Sequence, residues 1–164
     1  MNFTTLKKVD IPEGTAFRIT ADGNVIYDRT IELKYRLHGD QSNYIVDGPA
    51  DGATGDVVAP VDYIDGTRVW EINEDAFKNN TDIRAVILPK TVGYLTTDCF
   101  GSCANLEMVT FKRTLADGTF NLSTIAFRNC PNLKTINVPW AEGEVSGAPW
   151  GATNATIRYG YTGE

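Results

Sequence analysis

Apolar and polar positions recur in a fixed order between Ile72 and Pro139. Ile72-Asn73-Glu74-Asp75-Ala76-Phe77 aligns with Leu95-Thr96-Thr97-Asp98-Cys99-Phe100 and with Leu122-Ser123-Thr124-Ile125-Ala126-Phe127. Each segment opens on an aliphatic residue and closes on Phe, with a small residue before it. Downstream, Ile83, Leu106 and Leu133 share a column, then Val86, Val109 and Ile136, then Leu88, Phe111 and Val138. Polar columns agree too: Asn80, Cys103 and Cys130, then Asp82, Asn105 and Asn132. The Phe-to-Phe steps are 23 and 27 residues, inside the period range of leucine-rich solenoids.

A unit this short cannot bury its apolar columns alone, so stacked units must bury them against one another. The polar stretch after each Phe predicts a helical turn or a 3₁₀ piece leading into a strand. The predicted strands are Ala85–Leu88, Met108–Phe111 and Thr135–Val138. Alternation points Val86 and Leu88 inward and leaves Ala85 and Ile87 outside. Ile87, Met108, Thr110, Thr135 and Asn137 are therefore the candidate binding residues, on an outward strand face. Pro89 and Pro139 stop two of the strands.

Upstream, Ala16–Ile19 and Val25–Tyr27 read as a hairpin around Asp22-Gly23-Asn24. Ile31, Leu33, Tyr35 and Leu37 alternate with polar residues, and Tyr44–Val46 returns after a turn at Gly39–Asn43. Residues 1–46 are thus expected to form an antiparallel β module whose strand edges need pairing or covering, by self-association or docking. Residues 47–164 are expected to form the solenoid, with Tyr44–Trp70 as its N-terminal cap. After Pro139 the repeat degenerates, and Ala155–Tyr159 supplies a final strand. Trp150 plugs the column and Trp140 shields it, giving an aromatic C-terminal cap; alternatively Trp140, Tyr159 and Tyr161 stack on sugar rings.

The chain has 164 residues and a formal net charge of −6, which argues against a nucleic-acid backbone as partner. No apolar run approaches the roughly 18 residues of a membrane span. Met1-Asn2-Phe3-Thr4 shows neither the basic nor the apolar region of a signal peptide. Cys99, Cys103 and Cys130 are expected as buried, reduced thiols. A Cys103–Cys130 bond stays open, because stacked coils lie about 4.8 Å apart. Zinc is disfavoured, with no CxxC and no paired His. The single histidine, His38, falls on a surface turn. Three carboxylates in Asp47–Asp56 invite calcium, but their spacing does not fit an EF-hand, and a solvated loop is expected. Phosphate-loop, zinc-hydrolase and nucleophile-elbow motifs do not occur. No catalytic residue, metal or cofactor is assigned, and the chain is expected not to be an enzyme.

The aliphatic-x-x-x-small-Phe opening, the Cys column and the Leu-x-x-Val-x-Leu-Pro close resemble the BspA-type leucine-rich repeat of bacterial and bacteriophage surface proteins. The resemblance spans Ile72–Pro89, Leu95–Phe111 and Leu122–Pro139. The middle copy departs from it with Lys112 for the terminal Pro and with the insertion Arg113–Phe120. The resemblance implies an α+β, solenoid-type chain: a short leucine-rich-repeat solenoid used for adhesion or display. Ile11–Tyr27 is similar to N-terminal modules of phage minor structural proteins. Val138–Tyr159 resembles the closing segment of phage-encoded repeat proteins. Together these imply a bacteriophage virion structural protein, as capsid decoration, head fibre or tail-associated component, displaying its repeat domain for protein or host-surface interaction. The partners implied are other virion proteins, further copies of the chain, and a host protein or glycan. The alternative is a bacterial cell-surface adhesin or glycan-binding module.

Overall fold

The computed structural model describes residues 17–19, 25–27, 31–58 and 66–163. β1 (Phe17–Ile19) and β2 (Val25–Tyr27) pair antiparallel, Phe17 opposite Tyr27, as the hairpin pattern requires. The expected turn at Asp22–Asn24 lies outside the described residues. β3 (Leu33–Leu37) and β4 (Tyr44–Pro49) form a second antiparallel hairpin, with a register shift between Lys34 and Tyr35.

The chain then alternates between two sheets. β5 (Val57–Val58), β6 (Val69–Ile72), β7 (Ala85–Leu88), β8 (Tyr94–Leu95) and β9 (Met108–Phe111) follow one another, then β10 (Asn121–Leu122), β11 (Thr135–Asn137) and β12 (Thr156–Arg158). The first sheet runs β3-β4-β6-β8-β10 and the second β5-β7-β9-β11-β12. Strands from successive coils pair in parallel, and only β3 and β4 run antiparallel within these two sheets. This is a β-solenoid of about five turns, as the repeat implies. β4 pairs with both β3 and β6, so the hairpin joins the first sheet directly.

The core is the repeated columns. Phe77, Phe100 and Phe127 are buried and form one stack, with centroids 5.0 Å and 5.7 Å apart. Ile83, Leu106 and Leu133 are buried beside them, as are Val86, Val109 and Ile136. The polar columns satisfy backbone that would otherwise be orphaned. Asn105 Nδ2 donates to Thr81 O at 2.6 Å, and Asn132 Nδ2 to Ala104 O at 2.7 Å, each one coil back.

The segment around each Phe differs from a helix in one respect. Bonds of the 3₁₀ type do occur, Ala76 N–H to Asn73 O and Asn80 N–H to Phe77 O among them. Left-handed residues interrupt them: Asp75 and Asn79 in one coil, Asp98 and Ser102 in the next. The segments are therefore tight turns. Among the described residues, the one helical element is a 3₁₀ turn at Leu115–Asp117, inside the insertion.

The Asp47–Asp56 loop is only partly solvated. Asp51 is exposed, but Asp56 is fully buried, and its Oδ1 accepts from Arg84 N–H (2.8 Å) and Ala85 N–H (3.2 Å) at the start of β7. It stands in for a missing coil. Turn composition could not reveal this, because the acceptor's partners lie 28 residues away. At the other end Trp150 is fully buried, and its carbonyl accepts from Phe127 N–H at 3.0 Å, so the plug completes the last coil.

Candidate binding face

β7, β9, β11 and β12 lie side by side in register, so their outward residues form two rows. One row is Ala85, Met108, Thr135 and Thr156. The other is Ile87, Thr110, Asn137 and Arg158. Neither row contributes to the hydrophobic core, whereas Val86, Val109 and Ile136 do, so the alternation holds.

Facing outward is not the same as being accessible. Met108 and Thr135 are half-buried and Thr156 is exposed. Ile87, Thr110 and Asn137 are buried at 7%, 6% and 1% exposure. Three of the five residues expected on an open face are therefore covered. Strand alternation decides the side of a sheet, but not what packs over it. Asn137 Nδ2 donates to Thr110 Oγ1 at 3.0 Å, so these two form a polar bridge beneath the surface.

The C-terminal tail lies beside this sheet. Gly160 N–H reaches Trp140 O (3.0 Å) and Tyr161 N–H reaches Val138 O (2.9 Å), which lays the tail along the sheet's end. A cleft of about 370 Å³ opens there, lined by Thr110, Lys112, Thr114, Pro139, Tyr161 and Thr162, among others. The Arg158 guanidinium sits over the Tyr161 ring, 5.0 Å from its centroid, and orients it. Tyr159 and Tyr161 are half-buried.

Trp140 is not available to a ligand. It is 3% exposed and packs on Phe111 (5.5 Å), Phe120 (4.7 Å) and Trp150 (6.2 Å). The reading of Trp140 as a sugar platform is corrected: its ring is core, because the insertion supplies Phe120 to cover it.

Sequence reasoning missed Thr156, Arg158 and Lys112. Thr156 and Arg158 extend the two rows, but the degenerate repeat after Pro139 hides their register. Lys112 stands where the other copies carry Pro, which was the available signal. His38 is exposed at its turn, as expected, with Nδ1 2.8 Å from Asp40 Oδ1. The Ser42 hydroxyl donates to Asp40 at 2.6 Å and not to His38, an order unlike that of a nucleophilic triad. No group of three or more potential metal ligands occurs among the described residues. None of the described helices is long and apolar enough to cross a membrane.

Residues 66–145 match the family described as the BspA type leucine rich repeat region. No curated protein matches the chain by sequence. Among solved structures, a leucine-rich repeat protein from Bacteroides ovatus is similar at 23% identity and TM-score 0.53, over 68% of this chain and 30% of that one. This chain thus spans under a third of that protein's length. A leucine-rich repeat protein from Bacteroides capillosus is similar at 19% identity and TM-score 0.53, over 77% of this chain and 93% of the other. These likenesses establish a shared fold.

Proposed function

We propose that this chain, whose residues 66–145 form a BspA-type leucine-rich repeat region, is a surface-displayed interaction module that binds through the outward rows of its second sheet. The observation that carries the reading is the accessible end of those rows. Met108, Thr135, Thr156 and Arg158 sit on a rigid parallel sheet beside the cleft of Lys112 and Tyr161. Such a surface mixes apolar, hydroxyl and cationic groups without mobile backbone, which keeps the ordering cost of binding low. Among the described residues, Lys112 and Tyr161 are the ionisable side chains of the cleft lining.

Binding of fluorescently labelled protein to intact bacterial cells tests the reading. Saturable binding is expected, with a loss of tenfold or more in a Met108→Glu, Thr135→Arg double variant that melts like wild type. Equal binding by the double variant, or none by wild type, removes it.

The resemblances at Ile11–Tyr27 and Val138–Tyr159 favour a second reading, in which the same module is a component of a bacteriophage particle. Residues 1–46 would then attach it to other virion proteins, on capsid or tail, and the repeats would project. Density-gradient purification decides this: the chain travels with intact particles, or it is found only in the soluble lysate and the reading fails.

A further inference from the structure

Away from the binding face, two cysteines from adjacent coils meet at the edge of a surface cleft. Cys103 and Cys130 each lie five residues before Met108 and Thr135, which are paired directly, so they occupy the same level one coil apart. Each Sγ–H donates to a carbonyl one coil back: Cys103 to Phe77 O at 3.2 Å, Cys130 to Phe100 O at 3.1 Å. The two thiols are close enough for one to donate to the other once it ionises. Adjacent coils spaced about 4.8 Å apart fall inside the roughly 4.4–6.8 Å that a disulfide spans between Cα atoms. Both thiols are free.

All three cysteines are buried, but Cys130 keeps 6% exposure where Cys99 and Cys103 have none. Cys130 lines an open cleft of about 540 Å³ with Arg128, Asn129, Pro131, Gly151 and Asn154, among others. Cys103 and Cys99 do not line it and are fully buried. We propose that Cys130 is a site of thiol–disulfide exchange with a small anionic disulfide of the glutathione type, and that Cys103 resolves the adduct.

The chemistry balances. The Cys130 thiolate attacks one sulfur of the small disulfide, a mixed disulfide forms, and the first small thiolate leaves. The Cys103 sulfur then attacks Cys130 Sγ, the Cys103–Cys130 bond forms, and the second small thiolate leaves. The protein loses two electrons and two protons, and the small disulfide gains both as two thiols. The hydrogen bond from Cys103 favours the thiolate at Cys130 and holds its pKa below the ordinary 9.0. That same contact, then burial, pushes Cys103 up, and burial pushes Cys99 up. The attacking role therefore falls to the thiol that also borders the cleft. Arg128 lines the same cleft; its guanidinium is paired with Asp98 but stays 48% exposed, which leaves N–H groups open to a carboxylate of such a reagent. The proposal is independent of the binding reading.

Incubating the folded protein with oxidised glutathione, followed by intact mass and peptide mapping, tests it. Wild type should lose two of its three thiols, end lighter by two hydrogens, and map a reversible 103–130 bond. Cys103→Ser should stop at a single glutathionyl group on Cys130. Cys130→Ser should not react, while Cys99→Ser should behave as wild type. A stable glutathionyl adduct in wild type, modification at Cys99, or no reaction in the folded protein while the denatured protein reacts, each overturns the proposal.

Discussion

The Phe77 and Phe100 rings lie 5.0 Å apart and within 3° of parallel, and Phe127 continues the stack at 17°. Phe100 therefore has a ring on both sides, and all three side chains are buried. Phe100→Ala leaves a cavity in the middle of the column. It should cost about 3–5 kcal/mol, a large part of the stability of a domain this size. Phe100→Leu should cost less. Urea unfolding midpoints check the order, which fails if the two variants are equal.

Asp98 should make the fold acid-sensitive. Its carboxylate is nearly buried, with Lys78 Nζ at 3.2 Å from the coil before and Arg128 from the coil after. Burial works to raise its pKa, but hydrogen bonds from Lys78 and Arg128 outweigh it and hold it below the ordinary 3.8. A depressed folded pKa means that the unfolded chain takes up the proton more readily. The stabilisation is present above about pH 4 and is lost as pH falls through the folded value. Asp98→Asn should cost about 1–3 kcal/mol at pH 7, since both cations keep solvent access. The difference from wild type should shrink towards pH 2. Denaturant titrations at the two pH values would show a constant gap if Asp98 were not the group responsible.

Asp98 also shows where sequence reading stops. The column positions of Phe77, Phe100 and Phe127 were legible because burial repeats with the coil. So were β7, β9 and β11 and the plug role of Trp150, whereas β6, β8 and β10 were not, being too short to show a period of their own. The ladder from Lys78 through Asp98 to Arg128 was not, because each coil contributes a different residue type to it. Gly101 belongs to the same arrangement: a Cβ there would stand 2.8 Å from Asp98 Oδ1. Covering was equally illegible. Ile87, Thr110 and Asn137 have the spacing of surface residues, yet they are buried, since a strand's own period does not record how far its neighbours in the sheet shield it.

Arg113 should prove to be the clamp of the insertion. It is 3% exposed, its guanidinium lies 5.2 Å from the Trp70 ring and 5.4 Å from the Phe120 ring, and it donates to Lys90 O and Thr119 O. Lysine cannot reproduce that planar fork. Arg113→Lys should cost about 1–2 kcal/mol, and Arg113→Ala, which orphans two carbonyls, about 2–4 kcal/mol. Amide exchange should rise first within residues 113–120. Uniform acceleration across all coils would contradict a local clamp.

Trp140 and Tyr161 should separate folding from binding at the C-terminal end. Trp140 is enclosed by Phe111, Phe120 and Trp150, and its Nε1 has no hydrogen-bond partner among the described residues. Trp140→Ala should cost about 3–5 kcal/mol through the cavity it leaves. Trp140→Phe should cost under about 1.5 kcal/mol, because it keeps a large ring and removes an unsatisfied N–H. Tyr161 is half-buried at the cleft mouth, so Tyr161→Ala should change the melting temperature little and weaken cell binding. Melting curves and binding isotherms on the three variants give the comparison. A Trp140→Ala protein that melts like wild type but no longer binds would return Trp140 to the surface as a contact residue.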